Sequence, residues 1–298
     1  MKLLLPKYFN SLSLIFLLFI KLIFTNKSRN LISKNILQIF SQVNNIEEDN
    51  LNISSNFNNF IENFIGNGKM AQAFLTYQQL NDIFDKISEN IKNIKNNKNS
   101  TNNDYIEKFI EIDSIGTTHN NNTIPVIKIK SKYHSNKAIL FTGMHHAREP
   151  VSMMMNMFIF SKLIHLASLE DKSVNDLFDS VNIYIIPLVN VDGYIVNNEN
   201  YIKFYGDLNK CMVRKNRRKA PEFKFNNCIE DYDRVTIGVD LNRNYDYKFA
   251  HDNEGSSNLP CNDDYRGESP FSEPETAGIR DFIEKHPEIK IAFNYHST

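Results

Sequence analysis

The stretch Gly143-Met144-His145-His146-Ala147-Arg148-Glu149-Pro150 lies between an apolar run, residues 138–141, and a methionine-rich segment that follows the proline. The apolar run predicts a buried strand, and the first turn of a helix tolerates proline well. The stretch therefore predicts a strand, a sharp turn and the start of a helix. In an α/β sheet, such a turn lies in the crevice at the carboxyl end of the strand, where ligands bind.

Two side chains of this turn are suited to sharing a cation. His146 and Glu149 are three residues apart, and an imidazole with a carboxylate is a ligand pair that Zn²⁺ accepts. A catalytic zinc site needs a third protein ligand and an open position. A short His-x-x-Glu match also occurs by chance, and paired histidines at a turn are often only solvated. The later segments therefore have to decide between a zinc site and an ordinary turn.

The composition is that of a globular chain. It has 298 residues, of which 41% are hydrophobic and 23% charged, with a formal net charge of −1. This balance lacks the basic surface that nucleic-acid binding requires. We expect no nucleic-acid partner and a monomeric chain.

Residues 1–25 predict a targeting segment. Two lysines precede an apolar run over residues 11–20, the pattern of a secretory signal peptide. Lys21 interrupts the run and residues 22–24 extend it, so a signal anchor and an ordinary buried helix remain alternatives. We expect entry into the secretory pathway, ending outside the cell or in a lysosome- or vacuole-like compartment. Membrane attachment is expected only if the segment is retained as an anchor.

The next part of the chain changes character at about Phe74. Residues 26–73 are rich in asparagine and serine and predict a low-complexity linker, and residues 91–103 predict a similar polar loop. Beyond Phe74, apolar residues first recur at helical spacing. Predicted strands then alternate with helical stretches, which favours an α/β sheet. The strands are expected at 124–129, 138–141, 181–188 and 289–295, and a helix at 150–166.

The methionines after Pro150 and the three cysteines can each be interpreted separately. The methionines at 153, 154, 155 and 157 are interpreted as core filling, because methionine is an adaptable packing residue. The cysteines are Cys211, Cys228 and Cys261. In a secreted chain two of the three are expected to pair, which leaves one over.

Four further segments make the pattern specific. In order they are Asn190-Val191-Asp192-Gly193-Tyr194, Arg214-Lys215-Asn216-Arg217, Gly238-Val239-Asp240-Leu241-Asn242-Arg243-Asn244-Tyr245 and Phe293-Asn294-Tyr295-His296-Ser297. With the His-Ala-Arg-Glu turn, they resemble the zinc carboxypeptidase family, peptidase family M14, and most closely its carboxypeptidase A/B branch. The resemblance implies a catalytic domain over residues 74–298, with a central mixed β-sheet flanked by helices.

The resemblance also implies a zinc ligand set. His146, Glu149 and His296 would bind one Zn²⁺ per chain, with His296 at the end of the strand predicted over residues 289–295. Asp240 would hydrogen-bond a zinc-bound histidine, although capping or turn duty is a nearly equal alternative. His145 has no counterpart as a ligand and is interpreted as a supporting or exposed residue.

The substrate residues follow from the same resemblance. Asn242 and Arg243 would bind the terminal carboxylate, which a planar guanidinium recognises bidentately. Arg214 and Arg148 would face the scissile carbonyl, with Arg214 as the main oxyanion stabiliser and Arg148 also contacting substrate. The Asp192-Gly193 pair reads as a structural turn.

The resemblance favours one disulfide over the others. Cys261 resembles a position that forms a disulfide in the family, so Cys228 is its expected partner and Cys211 is expected to be free.

The sequence ends two residues after His296. The resemblance implies that a general-base glutamate, a tyrosine that closes over the substrate and the residue that selects the side chain would follow that point. None has a matching position here, so we expect a catalytic domain that is incomplete at its C-terminus. The predicted function is hydrolysis of the C-terminal peptide bond of peptides or proteins by zinc-activated water. The alternative is a catalytically inactive fragment or pseudoenzyme that binds zinc and peptide C-termini.

Overall fold

A single mixed sheet organises the chain, which is described here from a computed structural model over residues 74–96, 109–168, 170–204, 206–221, 228 and 237–297. The strands are β1 (Ile110–Thr117), β2 (Thr123–Ile129), β3 (Ala138–Gly143), β4 (Asn182–Ile186) and β5 (Ile289–Tyr295). Their order across the sheet is β1-β2-β4-β3-β5. The targeting segment and the linker predicted for residues 1–73 lie outside the described residues.

Helices flank this sheet, as predicted for the fold. They are α1 (Tyr77–Asn96), α2 (Pro150–Ser168), α3 (Lys172–Ser180), α4 (Val191–Lys203) and α5 (Pro274–Lys285). Among the described residues, no helix is both long enough and apolar enough to cross a membrane.

The strand directions decide where functional residues can meet. β2 pairs antiparallel with both β1 and β4, whereas β3 runs parallel to both β4 and β5. Gly143, the last residue of β3, stands opposite Tyr295, the last residue of β5. The segments that leave these strands therefore emerge side by side at one edge of the sheet.

Helix α2 begins at Pro150, where the sequence predicted a helix start, and packs against β3. Met153, Met154 and Met157 are buried in the core, so their interpretation as packing residues is confirmed, whereas Met155 is only partly buried. The side chain of Ser152 accepts a hydrogen bond from the Met144 amide at 2.9 Å and donates one to the Glu149 carbonyl at 2.7 Å. Its hydroxyl thus joins the turn to the first turn of the helix.

Two predictions of local structure were wrong. Helix α1 continues to Asn96, into a tract whose composition predicted a polar loop. Ile91 packs in the core and is 7% exposed, and burial of this side chain favours the helix over what the local composition suggests. Asp192-Gly193 has a structural role, as predicted, but it is the first turn of α4 rather than a separate turn, because the Asn190 side chain caps the helix by accepting from the Gly193 amide.

Cys228 and Cys261 form a disulfide that spans a sequence separation of 33, and Cys211 is a free cysteine. Replacing both paired cysteines with serine is expected to lower the free energy of unfolding by about 2–4 kcal/mol, because a closed loop restricts the unfolded chain. Urea unfolding of the double variant would measure this loss. The matched control is Cys211→Ser, which should leave the midpoint unchanged; equal midpoints for all three proteins would contradict the prediction.

Candidate metal centre

The turn after β3 is held in a sharply bent conformation. Met144 has a φ of 58°, in the left-handed region that a non-glycine residue rarely adopts. The Met144 carbonyl accepts a hydrogen bond from the Asn190 amide at 2.9 Å, and the Val189 amide donates to the Gly143 carbonyl at 3.1 Å. The segment after β4 therefore fixes the bend, which directs His146 and Glu149 to the sheet edge.

Three predicted ligands from two separate segments converge there. His146 Nδ1 donates to Glu149 Oε1 at 2.8 Å, and His296 Nδ1 donates to Glu149 Oε2 at 2.8 Å. The two imidazole ring centres are 4.7 Å apart. One donor atom from each of the three side chains lies within 4.8 Å of the others. The parallel pairing of β3 with β5 thus assembles the ligand set implied by the resemblance.

The donor set fits a zinc ion. Two imidazoles and one carboxylate leave a fourth position open, as catalytic zinc sites require. Asp240 Oδ1 lies 3.2 Å from His146 Nε2, although that nitrogen has no hydrogen bond of good geometry within the described chain. A carboxylate beside the second ring nitrogen favours coordination through Nδ1, the atom that faces Glu149.

The charges of the cluster stabilise an ionised carboxylate. Burial raises the pKa of Glu149, but the hydrogen bonds from His146 and His296 outweigh it and hold the pKa far below its ordinary value. Burial likewise raises the pKa of Asp240, and its contacts with His146 and Arg214 more than reverse that effect. Both groups are therefore anionic at neutral pH, the state in which a carboxylate supports cation binding.

Asp240 connects the predicted metal ligands to Arg214. Arg214 Nε donates to Asp240 Oδ2 at 3.0 Å, and Nη2 lies 2.9 Å from the same oxygen. The Asp240 side chain is fully buried. It also accepts a hydrogen bond from the Asn242 amide at 3.0 Å, which caps a short 3₁₀ turn, Leu241–Arg243. Asp240 thus occupies the position of a supporting carboxylate and performs the capping duty as well.

The predicted carboxylate-binding residues lie on this 3₁₀ turn. Asn242 Nδ2 donates to His296 Nε2 at 3.3 Å, so the turn adjoins the third predicted metal ligand. Arg243 Nε donates to the Gly255 carbonyl at 2.5 Å and Nη1 to the Asn242 carbonyl at 3.1 Å. These bonds hold the guanidinium in one orientation, which lowers the entropic cost of binding an anion.

Arg148 is arranged differently from Arg214. Its Nη1 donates to Asp263 Oδ2 at 3.3 Å, and the aspartate side chain is 60% exposed. An ion pair this exposed is worth little and is readily exchanged for another partner. The structure thus ties Arg214 to the buried centre and places Arg148 at the rim.

His145 was predicted to be either a supporting or an exposed residue. It is buried, so the exposed alternative is wrong. Its side chain is packed beside Tyr245, with His145 Nε2 2.6 Å from the Tyr245 hydroxyl. Burial lowers the pKa of His145 to about 3, and the neighbouring His296 and His146 act in the same direction. The ring is therefore neutral and fills the space beside the metal ligands.

Sequence reasoning missed the asparagines that hold these segments together. Asn190 Nδ2 donates to the carbonyls of His145 and Arg214, each at 3.1 Å. Asn197 Nδ2 donates to the carbonyls of Ala147 at 2.9 Å and Val213 at 3.0 Å. Asn190 begins one of the quoted motifs, but its bridging role was not predicted, and Asn197 lies outside those motifs in a sequence where asparagine is common. Both asparagines therefore join the turn after β3, residues 144–149, to the segment that carries Arg214.

Close packing around α4 explains why position 193 requires glycine. A Cβ atom there would lie 2.7 Å from the Ala147 Cβ and 2.8 Å from the Lys215 carbonyl oxygen. Such distances are shorter than van der Waals contact, so a side chain would separate α4 from the turn after β3 and from the segment that carries Arg214. The glycine therefore allows close packing of three functional segments.

Comparison with known proteins agrees with this geometry. The sequence profile of the zinc carboxypeptidase family, Peptidase M14, matches residues 99–298. Human mast cell carboxypeptidase A is 34% identical over 197 residues, which are 64% of this chain and 42% of that protein. Mouse carboxypeptidase A2 is 29% identical over 184 residues, covering 62% of this chain and 38% of its own length. The chain thus spans less than half the length of these curated relatives.

A solved structure supports the fold. The carboxypeptidase A of Helicoverpa armigera superimposes with a TM-score of 0.55 at 20% identity, covering 89% of this chain and 58% of that one. At this identity the likeness concerns the fold alone. Because the family profile covers most of the sequence, the chain belongs to the zinc carboxypeptidase family, Peptidase M14.

Proposed function

We propose that the protein is a zinc-dependent metallocarboxypeptidase that removes the last residue from peptides or proteins. The observation that carries this proposal is the set of contacts made by Asp240. This one carboxylate lies against the ligand His146, binds Arg214 and caps the turn that presents Asn242 and Arg243. A metal site, an oxyanion site and an anion site are therefore joined by one buried side chain. The similarity to human mast cell carboxypeptidase A and to mouse carboxypeptidase A2 supports the same activity.

Each part has a defined task in this proposal. Arg243 and Asn242 hold the terminal carboxylate of the substrate, which places the preceding peptide bond towards the histidines. Arg214 stabilises the negative charge that develops on the carbonyl oxygen. His146, Glu149 and His296 would hold a zinc ion, which would supply Lewis-acid polarisation and activation of water. Glu149 and Asp240 are held by their imidazole and guanidinium partners, so neither is suited to accept a proton from that water.

The engagement of Glu149 and Asp240 by their partners supports a second candidate function. Among the described residues, the carboxylates that contact His146 are those of Glu149 and Asp240, and both are engaged. A chain of this kind can bind zinc and peptide C-termini without hydrolysing them. General-base catalysis typically contributes about 10²–10⁴-fold, so turnover without a base would be very slow. The two candidates share every binding residue and differ in turnover alone.

The deciding experiment follows release of the C-terminal amino acid from N-blocked peptides by the zinc-loaded chain. Each peptide is supplied with a free carboxylate and as its C-terminal amide. The proposal expects release from the free acid, no release from the amide, and loss of activity with a chelator that zinc restores. Saturable binding of the free acid without release would instead establish the non-catalytic function. Including tripeptides separates a carboxypeptidase from an amidohydrolase that acts on acylated amino acids.

Replacing Arg243 with Gln is expected to weaken binding of a free C-terminus by about 10- to 100-fold, because a hydrogen bond to a charged group contributes about 1.5–3 kcal/mol. Peptide affinity or KM measures the change. The control is Lys248→Gln, which removes an exposed positive charge five residues further along. Equal weakening for the free acid and its amide would contradict the assigned role of Arg243.

We also propose that the protein enters the secretory pathway and acts as a monomer. The Cys228–Cys261 disulfide supports an oxidising compartment, because structural disulfides persist there. Fractionation of cells that express the full chain, with size-exclusion chromatography of the purified product, tests both statements. A cytosolic protein with reduced Cys228 would contradict the assigned compartment.

A further inference from the structure

A second cluster of metal-ligand side chains lies outside the zinc centre. His119 is in the turn between β1 and β2, Glu273 precedes α5, and Glu275 is in its first turn. One donor atom from each lies within 4.8 Å of the others. His119 Nε2 is 2.9 Å from Glu273 Oε2. The cluster shares no residue with the ligands His146, Glu149 and His296.

The two carboxylates of this cluster are completely buried. Glu273 and Glu275 are each 0% exposed, and Asn216 Nδ2 donates to both of them, at 2.7 Å and 3.1 Å. Arg218 Nη1 donates to Glu273 Oε1 at 3.1 Å, and Ser272 Oγ donates to the same oxygen at 2.7 Å. Glu273 is therefore well supplied with donors, as a buried anion must be.

Glu275 is not supplied in this way. Its Oε1 atom is buried and has no hydrogen-bond partner among the residues that the structure describes. Burial raises the pKa of this carboxyl to about 7, and the neighbouring Glu273 acts in the same direction. A buried carboxyl oxygen without a donor beside a second carboxylate and an imidazole is a place where a cation would be strongly stabilised.

The turn that carries His119 is held in place independently of the cluster. Asp192 in α4 accepts hydrogen bonds from Thr118 Oγ1 at 2.6 Å, from the Asn120 amide at 3.1 Å and from Asn122 Nδ2 at 2.8 Å. These bonds fix residues on both sides of His119 and so orient its ring towards Glu273. The His119 side chain is 31% exposed, which leaves a path for an ion to enter.

We propose that His119, Glu273 and Glu275 form a second metal site, for a divalent transition cation of the Zn²⁺ class. One imidazole and two carboxylates are ligands that such a cation accepts. The ion would displace the protons held by the imidazole and by Glu275, and would pair with the carboxyl oxygen that otherwise has no donor. Its role is structural, because it would join the β1–β2 turn to the start of α5.

This site would also support the first one indirectly. Asn216, which binds both glutamates, lies two residues after Arg214 and accepts a hydrogen bond from the Val239 amide at 2.9 Å. Val239 immediately precedes Asp240. An ion at the second site would therefore restrain both residues of the Arg214–Asp240 pair. The inference does not depend on the proposed function, because the ligands of the two sites are separate.

The test is a zinc titration of the full chain in which the first site has been removed by His146→Ala and His296→Ala. This background protein is expected to bind one Zn²⁺, against two for the unmodified chain, with a higher melting temperature when loaded. Adding Glu275→Gln or His119→Gln should weaken that binding by more than about 100-fold, since replacing even supporting groups around a metal costs 10- to 100-fold. An anomalous diffraction peak among the three side chains would locate the ion.

The control is His286→Gln, since His286 is also a partly exposed histidine that contacts a carboxylate, Glu288 Oε1, at 2.9 Å. It should leave zinc affinity unchanged. His119→Gln alters a partly exposed turn and gives an answer even if Glu275→Gln fails to fold. The proposal is overturned if the background protein binds no zinc, or if neither substitution in the cluster changes its affinity.

Discussion

Replacing Glu149 with Gln is expected to weaken zinc binding at the first site by more than about 100-fold. Substitutions of groups that only support a ligand already cost about 10- to 100-fold, and Glu149 is assigned as a ligand itself. Both of its oxygens face an imidazole Nδ1 at 2.8 Å. Gln keeps the shape of the side chain but removes the negative charge that offsets the cation.

The measurement is competition for zinc against a chelator of known affinity. It is best made in a Glu275→Gln background, so that an ion at the second cluster does not contribute. Asp263→Asn is the matched control: it removes one negative charge from an exposed side chain that contacts Arg148, the residue next to Glu149. An unchanged affinity in Glu149→Gln, or an equal loss in the control, would show that the carboxylate is not a ligand.

Replacing Arg214 with Gln is expected to lower turnover by about 10²–10³-fold with little change in KM. Loss of one oxyanion donor has an effect of this size when the donor acts mainly in the transition state. The Arg214 guanidinium is suited to that task because Asp240, fully buried, contacts it through two nitrogens. The positive charge is thereby fixed before the substrate binds, and little reorganisation is needed during the reaction.

Steady-state kinetics on a free-acid peptide would measure the loss, with Arg280→Gln as the control, because Arg280 pairs with the partly exposed Asp281 on α5. If the chain binds peptides without cleaving them, a peptide phosphonate gives the equivalent measurement. Its tetrahedral anion should lose affinity in Arg214→Gln, while a product peptide should bind as before. Equal losses for both ligands would assign Arg214 to ground-state binding instead.

The two glutamate clusters differ in how their charge is balanced. Glu149 accepts hydrogen bonds from two imidazoles, and the same interactions lower its pKa. Glu275 accepts a hydrogen bond from the Asn216 side chain and lies beside a second carboxylate, and burial raises its pKa. Glu149 is therefore ionised at neutral pH before any metal binds, whereas Glu275 is only partly ionised near pH 7.

Much of this protein was determined by sequence alone because the decisive signals are local. An apolar run of strand length predicted β3 over residues 138–141, and the structure extends it to Gly143. The strand expected at 289–295 is β5 with the same limits. Pro150 marked the start of α2. These features depend on residue type and short-range periodicity, which a single sequence contains.

His146 and Glu149 could be proposed as a cation-binding pair from the turn itself, whereas His296 was predicted as the third ligand only through a resemblance. Glu149 and His296, whose side chains are hydrogen-bonded, are 147 residues apart in the chain. The parallel pairing of β3 with β5 is what brings them together, and hydrophobic periodicity does not specify which strands become neighbours. The identity of the donors is thus a property of the sequence, and their convergence is a property of the sheet.

The remaining features were decided by tertiary structure. Neighbouring residues determine the burial of His145 and the helical state of residues up to Asn96. They also determine the contacts of Asp240 with His146 and Arg214. The cluster of His119, Glu273 and Glu275 joins a hairpin turn to a helix more than 150 residues away, at a sequence separation of 154 for its closest pair. Burial and long-range contact set the energies of such groups, and neither quantity can be obtained from the order of residues in the chain.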